Sequence, residues 1–526
     1  KSIDVIYIDP PYNTDASPIL YKNGYKSSSW ASLMENRFGP ARSLLTSDGV
    51  LVVAIDDEQQ RELSFVLSRV FENRLLGTIC VRANPSGRPT QTGYSVAHEY
   101  LLFAGNGPES AIGRMSPTDE QLARFSEYDE QGAFEWRNLR REGSNSDRDA
   151  RRALYYPMYI RGSHIRVPKM EWDDANQEWK TLEKPKSGEQ TVYPDNEEGV
   201  QKTWRWEWTT VMDSMADLSV RPDRSGRPYI YYKRRPHEDG VVSVSCWFDA
   251  KYSATEHGTA VIKALFGKSV FSYPKSIHAV IDAIHVAGAS RQDASVLDYF
   301  AGSGTTAHAV ICLNRTDSGR RRFICVEVED YFDTVLLPRI KKVTFSPEWK
   351  DGKPVRQATR EEAERSPRIV KYIRLESYED ALNNIEFTGE SKTLYDFDDY
   401  LLRYMLQWES KESATLLNVK QLASPFAYKL RLTEGQQTRD KVVDIPETFA
   451  YLLGLHVKTR KALADGDSRY LVCRGSVDHR QVVVIWRDTA GWGKDDYERD
   501  KKFVADQKLA EGADAVFVNG DSFIPN

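Results

Sequence analysis

Two stretches of the chain, residues 1–104 and 256–345, alternate short apolar runs with helix-spaced apolar stripes, and the stretch between them does neither. Val5 to Ile8 and Val50 to Ile55 are continuous apolar runs of strand length, the signature of strands buried on both faces. Between them, residues 29–45 carry Trp30, Leu33, Met34, Phe38, Leu44 and Leu45 at helical spacing, interrupted by Gly39-Pro40. Residues 58–70 place Leu63, Val66, Leu67 and Val70 on one helical face. Further strands are expected at 78–81 and 99–103. This is half of a doubly wound sheet, with too few strands to close alone. The same alternation returns downstream: a helix over 277–287, a strand at 295–298, a glycine turn, a helix over 305–314 and a strand at 323–328, together a βαβ unit.

The intervening residues 105–255 are rich in Arg, Trp and Tyr, and 183–199 read as polar loops. Thr203-Trp204-Arg205-Trp206-Glu207-Trp208 alternates strictly, which predicts a strand with three Trp on one face, in the core of a small β subdomain. Residues 346–375 read as a charged linker or surface arm, and 376–430 as helical, most strongly at 400–406. Residues 431–526 form another α/β piece, with strands at 482–486 and 515–518 and a charged helix over 495–509. At 526 residues the chain holds several domains, with boundaries expected near 104, 255, 345 and 430.

Composition narrows the picture modestly. With 40% hydrophobic and 28% charged residues the chain is an ordinary soluble globular protein, and no apolar run reaches the ~18 residues of a membrane span. The five cysteines (Cys80, Cys246, Cys312, Cys325, Cys473) are scattered without a C-x-x-C pair. Neither a metal site nor a disulfide framework is suggested, and a reducing, cytoplasmic setting fits. The chain opens on Lys1 and runs almost directly into a strand, so it is expected to be N-terminally truncated. A net charge of −5 speaks against a nucleic-acid partner, yet the charge is uneven. Residues 137–169 hold nine Lys/Arg against three acids, and 221–235 hold six against one, with Tyr229, Tyr231 and Tyr232 interleaved. Candidate nucleic-acid contacts are Arg137, Arg140, Arg141, Arg151, Arg152, Arg221, Arg224, Lys233, Arg234 and Arg235.

Asp9-Pro10-Pro11-Tyr12 follows the first strand directly. Two prolines forbid further ladder pairing, so the chain must leave the sheet at the strand's C-terminal edge, where open α/β sheets bind ligands. The Asp9 carboxylate and the Pro10 carbonyl are acceptors only, suited to an exocyclic amine, and the Tyr12 face can stack on the ring that carries it. A strand-ending turn with a surface Asp is the plainer account of the tetrapeptide alone. A second candidate is Asp298-Tyr299-Phe300-Ala301-Gly302-Ser303-Gly304-Thr305, a strand tip, a glycine turn and a helix start. Gly302 and Gly304 permit close backbone approach, and Glu327 stands where an acid binds ribose hydroxyls in Rossmann-like sites. Acids at both strand tips suit a cationic, ribose-bearing ligand better than a polyphosphate.

These motifs resemble those of the amino-methyltransferases of DNA. Asp9-Pro10-Pro11-Tyr12 is similar to their catalytic motif, and Phe300 to Thr306 to their S-adenosylmethionine motif. Phe271-Ser272-Tyr273-Pro274-Lys275-Ser276 resembles the segment beside the cofactor's methionine end, with Ser276 where the usual form has Pro. The catalytic motif precedes the cofactor motif with the basic insertion between, the order of the β class. Leu375 to Asn384 further resembles the modification subunits of type III restriction systems. The resemblance implies a Rossmann-like methyltransferase sheet with an inserted target-recognition domain and a C-terminal α/β extension. It implies Asp9, Pro10, Pro11 and Tyr12 as catalytic residues, and Asp298, Phe300, Gly302, Ser303, Gly304, Thr305, Glu327, Pro274, Lys275 and Ser276 around S-adenosylmethionine. Double-stranded DNA with a flipped target adenine would be the substrate, and the protein would be nucleoid-associated. A helicase-nuclease restriction subunit and a second copy of the chain would be partners. Alternatives are an N4-cytosine methyltransferase, a silent DNA-binding subunit, or an RNA or protein-glutamine methyltransferase.

Overall fold

Ile3–Ile8 (β1) lies inside the main sheet because it offers water no face. Val5 and Tyr7 enter one apolar layer, Ile6 and Ile8 the other. In a computed structural model, residues 2–12, 26–87, 93–223, 226–237, 240–367, 369–377, 380, 419–434 and 437–524 are described. They belong to two units, Lys1–Arg368 and Ile369–Asn526.

In the first unit the sheet contains β1, Leu45–Ile55 (β2), Leu75–Val81 (β3), Glu99–Gly105 (β4), Cys246–Trp247 (β5), Ser295–Asp298 (β6) and Arg322–Cys325 (β7), ordered β5-β3-β4-β2-β1-β6-β7. β1 is parallel to β2 and to β6, and β6 to β7, whereas β4 runs antiparallel to both β2 and β3. The sequence therefore folds as the α/β pattern predicts. The helix Lys26–Leu44 continues through Gly39-Pro40, because Trp30, Met34, Phe38 and Ala41 all lie buried against Leu63 and Leu67 of the helix Gln60–Val70. Ile277–Ile284 and Thr305–Asp317 cover the other face. The last strand stops at Cys325, short of the expected 328, which leaves Glu327 beyond the sheet.

The insertion builds its own core from Leu139, Tyr156, Met158, Ile160, Trp204 and Ile230. The expected Trp strand is not there. Trp204 makes a single bridge to Arg140, and Trp208 starts the helix Trp208–Asp213. Alternation gives a strand only where a neighbour supplies a continuous ladder, and here the backbone bonds go to two separate segments, Leu154 and Leu139. Trp204 alone is fully buried, its indole donating to the Tyr156 carbonyl at 2.7 Å. Residues 346–366 also depart from the linker expectation. Trp349 packs beside Val261 and Phe266, and Arg315 bonds the Ser366 hydroxyl at 3.0 Å, so the segment is anchored to the first unit.

The second unit contains a four-stranded sheet, His456–Asp465, Ser468–Val477, Arg480–Arg487 and Ala515–Val518, whose last two strands are parallel and joined through the helix Lys494–Asp506. Arg487 and Asp500 pair at its centre, both fully buried. The expected helix at 400–406 lies outside the described residues.

Candidate active site

Asp9, Glu99 and Asp298 reach one edge of the main sheet from strands far apart in sequence. β1 and β6 are parallel, with Val5 opposite Val296, so both end there. β4 runs the other way, with Tyr100 opposite Ile55, and so begins at the edge where β2 ends. The turn after Asp9 is pinned by the Trp30 indole, which donates to the Pro11 carbonyl at 2.8 Å. The Pro10 carbonyl accepts no hydrogen bond from the described residues.

Lys275 joins this group. Its ammonium donates to Glu99 Oε2 at 2.7 Å, lies 3.2 Å from Asp9 Oδ1, contacts the Tyr12 hydroxyl and sits 4.6 Å from the centre of the Tyr12 ring. Burial pushes the Asp9 carboxyl up from its ordinary value, Lys275 pulls it back, and Glu99 pushes it up again. Burial would depress the Lys275 ammonium, but the Asp9 and Glu99 carboxylates override it and its pKa stands raised. Lys275 thus offsets part of the cost of burying the Asp9 charge. Burial, followed by Asp9 and Glu99, raises Tyr12 well above its usual range, so its ring stays neutral. Lys275, expected from sequence beside a cofactor, stands among the acids of the Asp9 group.

The glycine turn lies at the tip of β6. Gly302 (φ 52°) and Gly304 (φ 80°) are both left-handed. A Cβ on Gly302 would come 3.4 Å from Phe271, and one on Gly304 would come 3.2 Å from Leu336 on the helix side. Gly304 is therefore required by turn geometry and by the helix behind it, rather than by space for a ligand. Glu327 ties the turn to the end of β7, accepting from the Gly302 N–H at 2.8 Å and from the Val328 N–H at 2.8 Å. Asp298 is buried, and both its oxygens are engaged, by the Phe300 N–H at 3.0 Å and the Thr306 hydroxyl at 2.5 Å. Burial pushes its carboxyl up to about 7.

Other expected cofactor residues turn inward. Ser276 donates to the Lys251 carbonyl at 2.8 Å. Ser303 and Thr305 are gripped from behind by Arg339, which is fully buried and donates to the Ser303 hydroxyl at 2.9 Å and the Thr305 hydroxyl at 3.0 Å. Burial lowers the Arg339 guanidinium to about 10, and no acid pairs with it among the described residues. Sequence gave no reason to single out Arg339. The available signal was its place on the apolar stripe of Leu336, Ile340 and Val343.

The remaining rim fits a flat, cationic, hydroxyl-bearing ligand. Phe300 and the Phe271–Tyr331 pair, 5.1 Å between ring centres, supply aromatic faces, and Glu327 supplies an acceptor. Residues 3–336 match the family described as DNA methylase, the N6_N4_Mtase family. The chain belongs to the DNA methylase family. It is a DNA methyltransferase, and S-adenosylmethionine is the methyl donor of the family. The chain is 31% identical to the type II methyltransferase M.KpnI of Klebsiella pneumoniae, over 62% of this chain and 75% of that protein. It is 28% identical to the EcoPI Mod subunit of a type III restriction-modification enzyme from Escherichia phage P1, over 63% of this chain and 54% of that one. The chain thus spans about half the length of that type III relative. The M1.HpyAVI–SAM complex covers 64% of this chain and 89% of its own, at 14% identity and a TM-score of 0.27.

In this DNA methyltransferase much of the insertion's positive charge is neutralised internally. Lys233 and Arg235 both pair with Asp129, at 2.6 and 2.7 Å, Arg221 with Glu127 at 3.4 Å, and Arg234 with Glu135 at 3.3 Å. Arg137 lies 3.6 Å from Glu135, Arg140 is 3.9 Å from Glu142, and Arg152 is 3.0 Å from Asp149. Arg141 and Arg151 have no acid partner among the described residues, and Arg224 lies outside them. No helix among the described residues is long and apolar enough to cross a membrane.

Proposed function

We propose that the protein methylates adenine N6 at a specific sequence in duplex DNA, as the modification component of a restriction system of the type III kind. The reading rests on one observation. At the tip of β1 an Asp9 carboxylate, its charge favoured by the Lys275 ammonium 3.2 Å away, stands next to a Pro10 carbonyl with no donor among the described residues. Two acceptors side by side match the two N–H groups of an aromatic amine. Accepting from both would turn the nitrogen toward sp³ and free its lone pair, while Tyr12 offers a face to the extruded ring. With Asp9 Oδ1 turned to Lys275, the carboxylate's other oxygen is the acceptor offered. S-adenosylmethionine, held by the Gly302 turn, Phe271, Phe300 and Glu327, supplies an electrophilic methyl group. The chain's own contribution is positioning and electrostatics, and the product proton leaves to solvent.

Adenine, rather than cytosine, is favoured by the Asp that opens the Asp9 motif, as the family resemblance implies. Homologues named as type III Mod subunits support double-stranded DNA and a restriction subunit as partners, and a second copy of the chain belongs to the same proposal. Sequencing the modified bases of DNA from cells expressing the gene tests the reading. One recurrent motif carrying N6-methyladenine is expected. N4-methylcytosine would overturn the base assignment, and unmodified DNA would overturn the enzyme.

A further inference from the structure

Three arginines of the insertion stand apart from its internally paired charges. Arg141, Arg151 and Arg205 have no acid partner among the described residues, and backbone bonds draw their segments together. Arg141 N–H donates to Thr203 at 2.8 Å, Trp204 N–H to Leu154 at 2.9 Å and Arg205 N–H to Leu139 at 2.9 Å. Burial lowers the Arg141 guanidinium from its ordinary value, and the charges of Arg151 and Arg205 add to that effect. Like charges gathered without counter-ions are unfavourable unless an anion joins them.

The same segments border an open cleft of about 750 Å³ whose lining includes Arg151, Trp172, Gln177, Trp179, Glu207 and Trp208, together with Asp149, which pairs with Arg152 at 3.0 Å. Its tryptophans are half-buried. Trp172 and Trp179 face each other across a hairpin, edge to face at 5.2 Å, and Trp208 joins Trp179 at 6.2 Å. Trp179 is fixed by its indole bond to the Ala153 carbonyl at 2.8 Å. Two tryptophans alone would be a stabilising cross-strand pair. A third from another element, polar Gln177 and Glu207 at the rim and uncompensated arginines alongside make a different surface. Gln177 itself is held at φ 53°, in the left-handed region.

We propose that this cleft binds a nucleotide unstacked from the DNA, with its base against the tryptophans and its phosphate on Arg141, Arg151 and Arg205, apart from the base held at Asp9. The inference rests on the reading that the chain acts on DNA. A flat ring joined to an anion is the chemistry that suits aromatic walls next to free cations, and base–aromatic stacking accepts any base. Gln177 and Glu207 can bond to base edges.

The test compares three labelled duplexes by fluorescence anisotropy with the whole chain: fully paired, with a one-nucleotide bulge, and with an abasic bulge. The bulged duplex is expected to bind roughly tenfold tighter than the paired one, and the abasic bulge to lose that gain. Trp208→Ala should erase the preference. Trp172→Ala, on an exposed hairpin, should reduce it, and carries the test if Trp208→Ala fails to fold. Arg151→Ala should weaken all three duplexes and flatten their salt dependence. Equal affinity for all three duplexes overturns this site while leaving the DNA reading intact. No binding to any duplex overturns both.

Discussion

Lys275 is the residue whose removal tests the electrostatics of the site most sharply. Its ammonium lies 3.2 Å from Asp9 Oδ1. At an effective dielectric of about 20, unit charges at that distance attract by about 5 kcal/mol. The Asp9 side chain is 28% exposed, and water screens part of that. Taking somewhat under half leaves about 2 kcal/mol, or about 1.5 pH units. Asp9 must be ionised to accept from the target amine. Its pKa, already raised by burial, rises further when the cation goes, and activity is then lost at a higher pH as acid is added. Lys275→Met should move the acid limb of the single-turnover methyl-transfer profile up by about 1.5 units, and Lys275→Arg should restore most of the shift. S-adenosylmethionine binding, read by calorimetry, serves as the control for a folded site. An acid limb that stays in place for Lys275→Met, with the cofactor still bound, would refute the argument that Lys275 keeps Asp9 charged.

Three other outcomes follow from the same geometry. Gly302→Val should abolish S-adenosylmethionine binding by calorimetry, because a β-branched residue resists φ 52° and its side chain meets Phe271; unchanged affinity would remove the turn from the cofactor site. Asp298 has a folded pKa of about 7, above its unfolded value, so the folded state holds the extra proton and wild-type stability falls as pH rises from about 4 to about 7. Asp298→Asn has no such term and should melt higher than wild type above pH 7, by up to roughly 4 kcal/mol, with the gap closing near pH 4; a pH-independent difference in Tm would contradict this. Tyr12→Phe should be mild and Tyr12→Ala should mainly weaken engagement of the flipped base, seen as a lost fluorescence rise from 2-aminopurine at the target position.

Much of the fold was legible because it is written locally. Val5 to Ile8 is apolar on every residue and the following prolines end it, so both the buried strand and the departure at Asp9 could be read from a dozen letters. The glycine turn between Asp298 and Thr305 was equally local. What escaped depends on residues distant in sequence. Glu99 and Lys275 are separated by 176 positions, and their ion pair exists only because β4, antiparallel to β2, begins at the edge where β1 ends. Arg339, on the helix Leu337–Phe345, grips the turn from 36 positions downstream, which periodicity cannot show, and so Ser303 and Thr305 read as ligand contacts although they face it. The Trp204–Trp208 alternation failed for the opposite reason: the local pattern was strong, but no neighbouring strand was there to complete it.

The central claim is that Asp9 holds the amine of a target adenine. Duplex DNA incubated with deuteromethyl S-adenosylmethionine and either wild type or Asp9→Ala, then digested to nucleosides for mass spectrometry, tests it directly. Deuterated N6-methyladenine is expected with wild type and none with Asp9→Ala, whose S-adenosylmethionine affinity should be unchanged because Asp9 touches the amine. More than a few per cent of wild-type methylation by Asp9→Ala would contradict it.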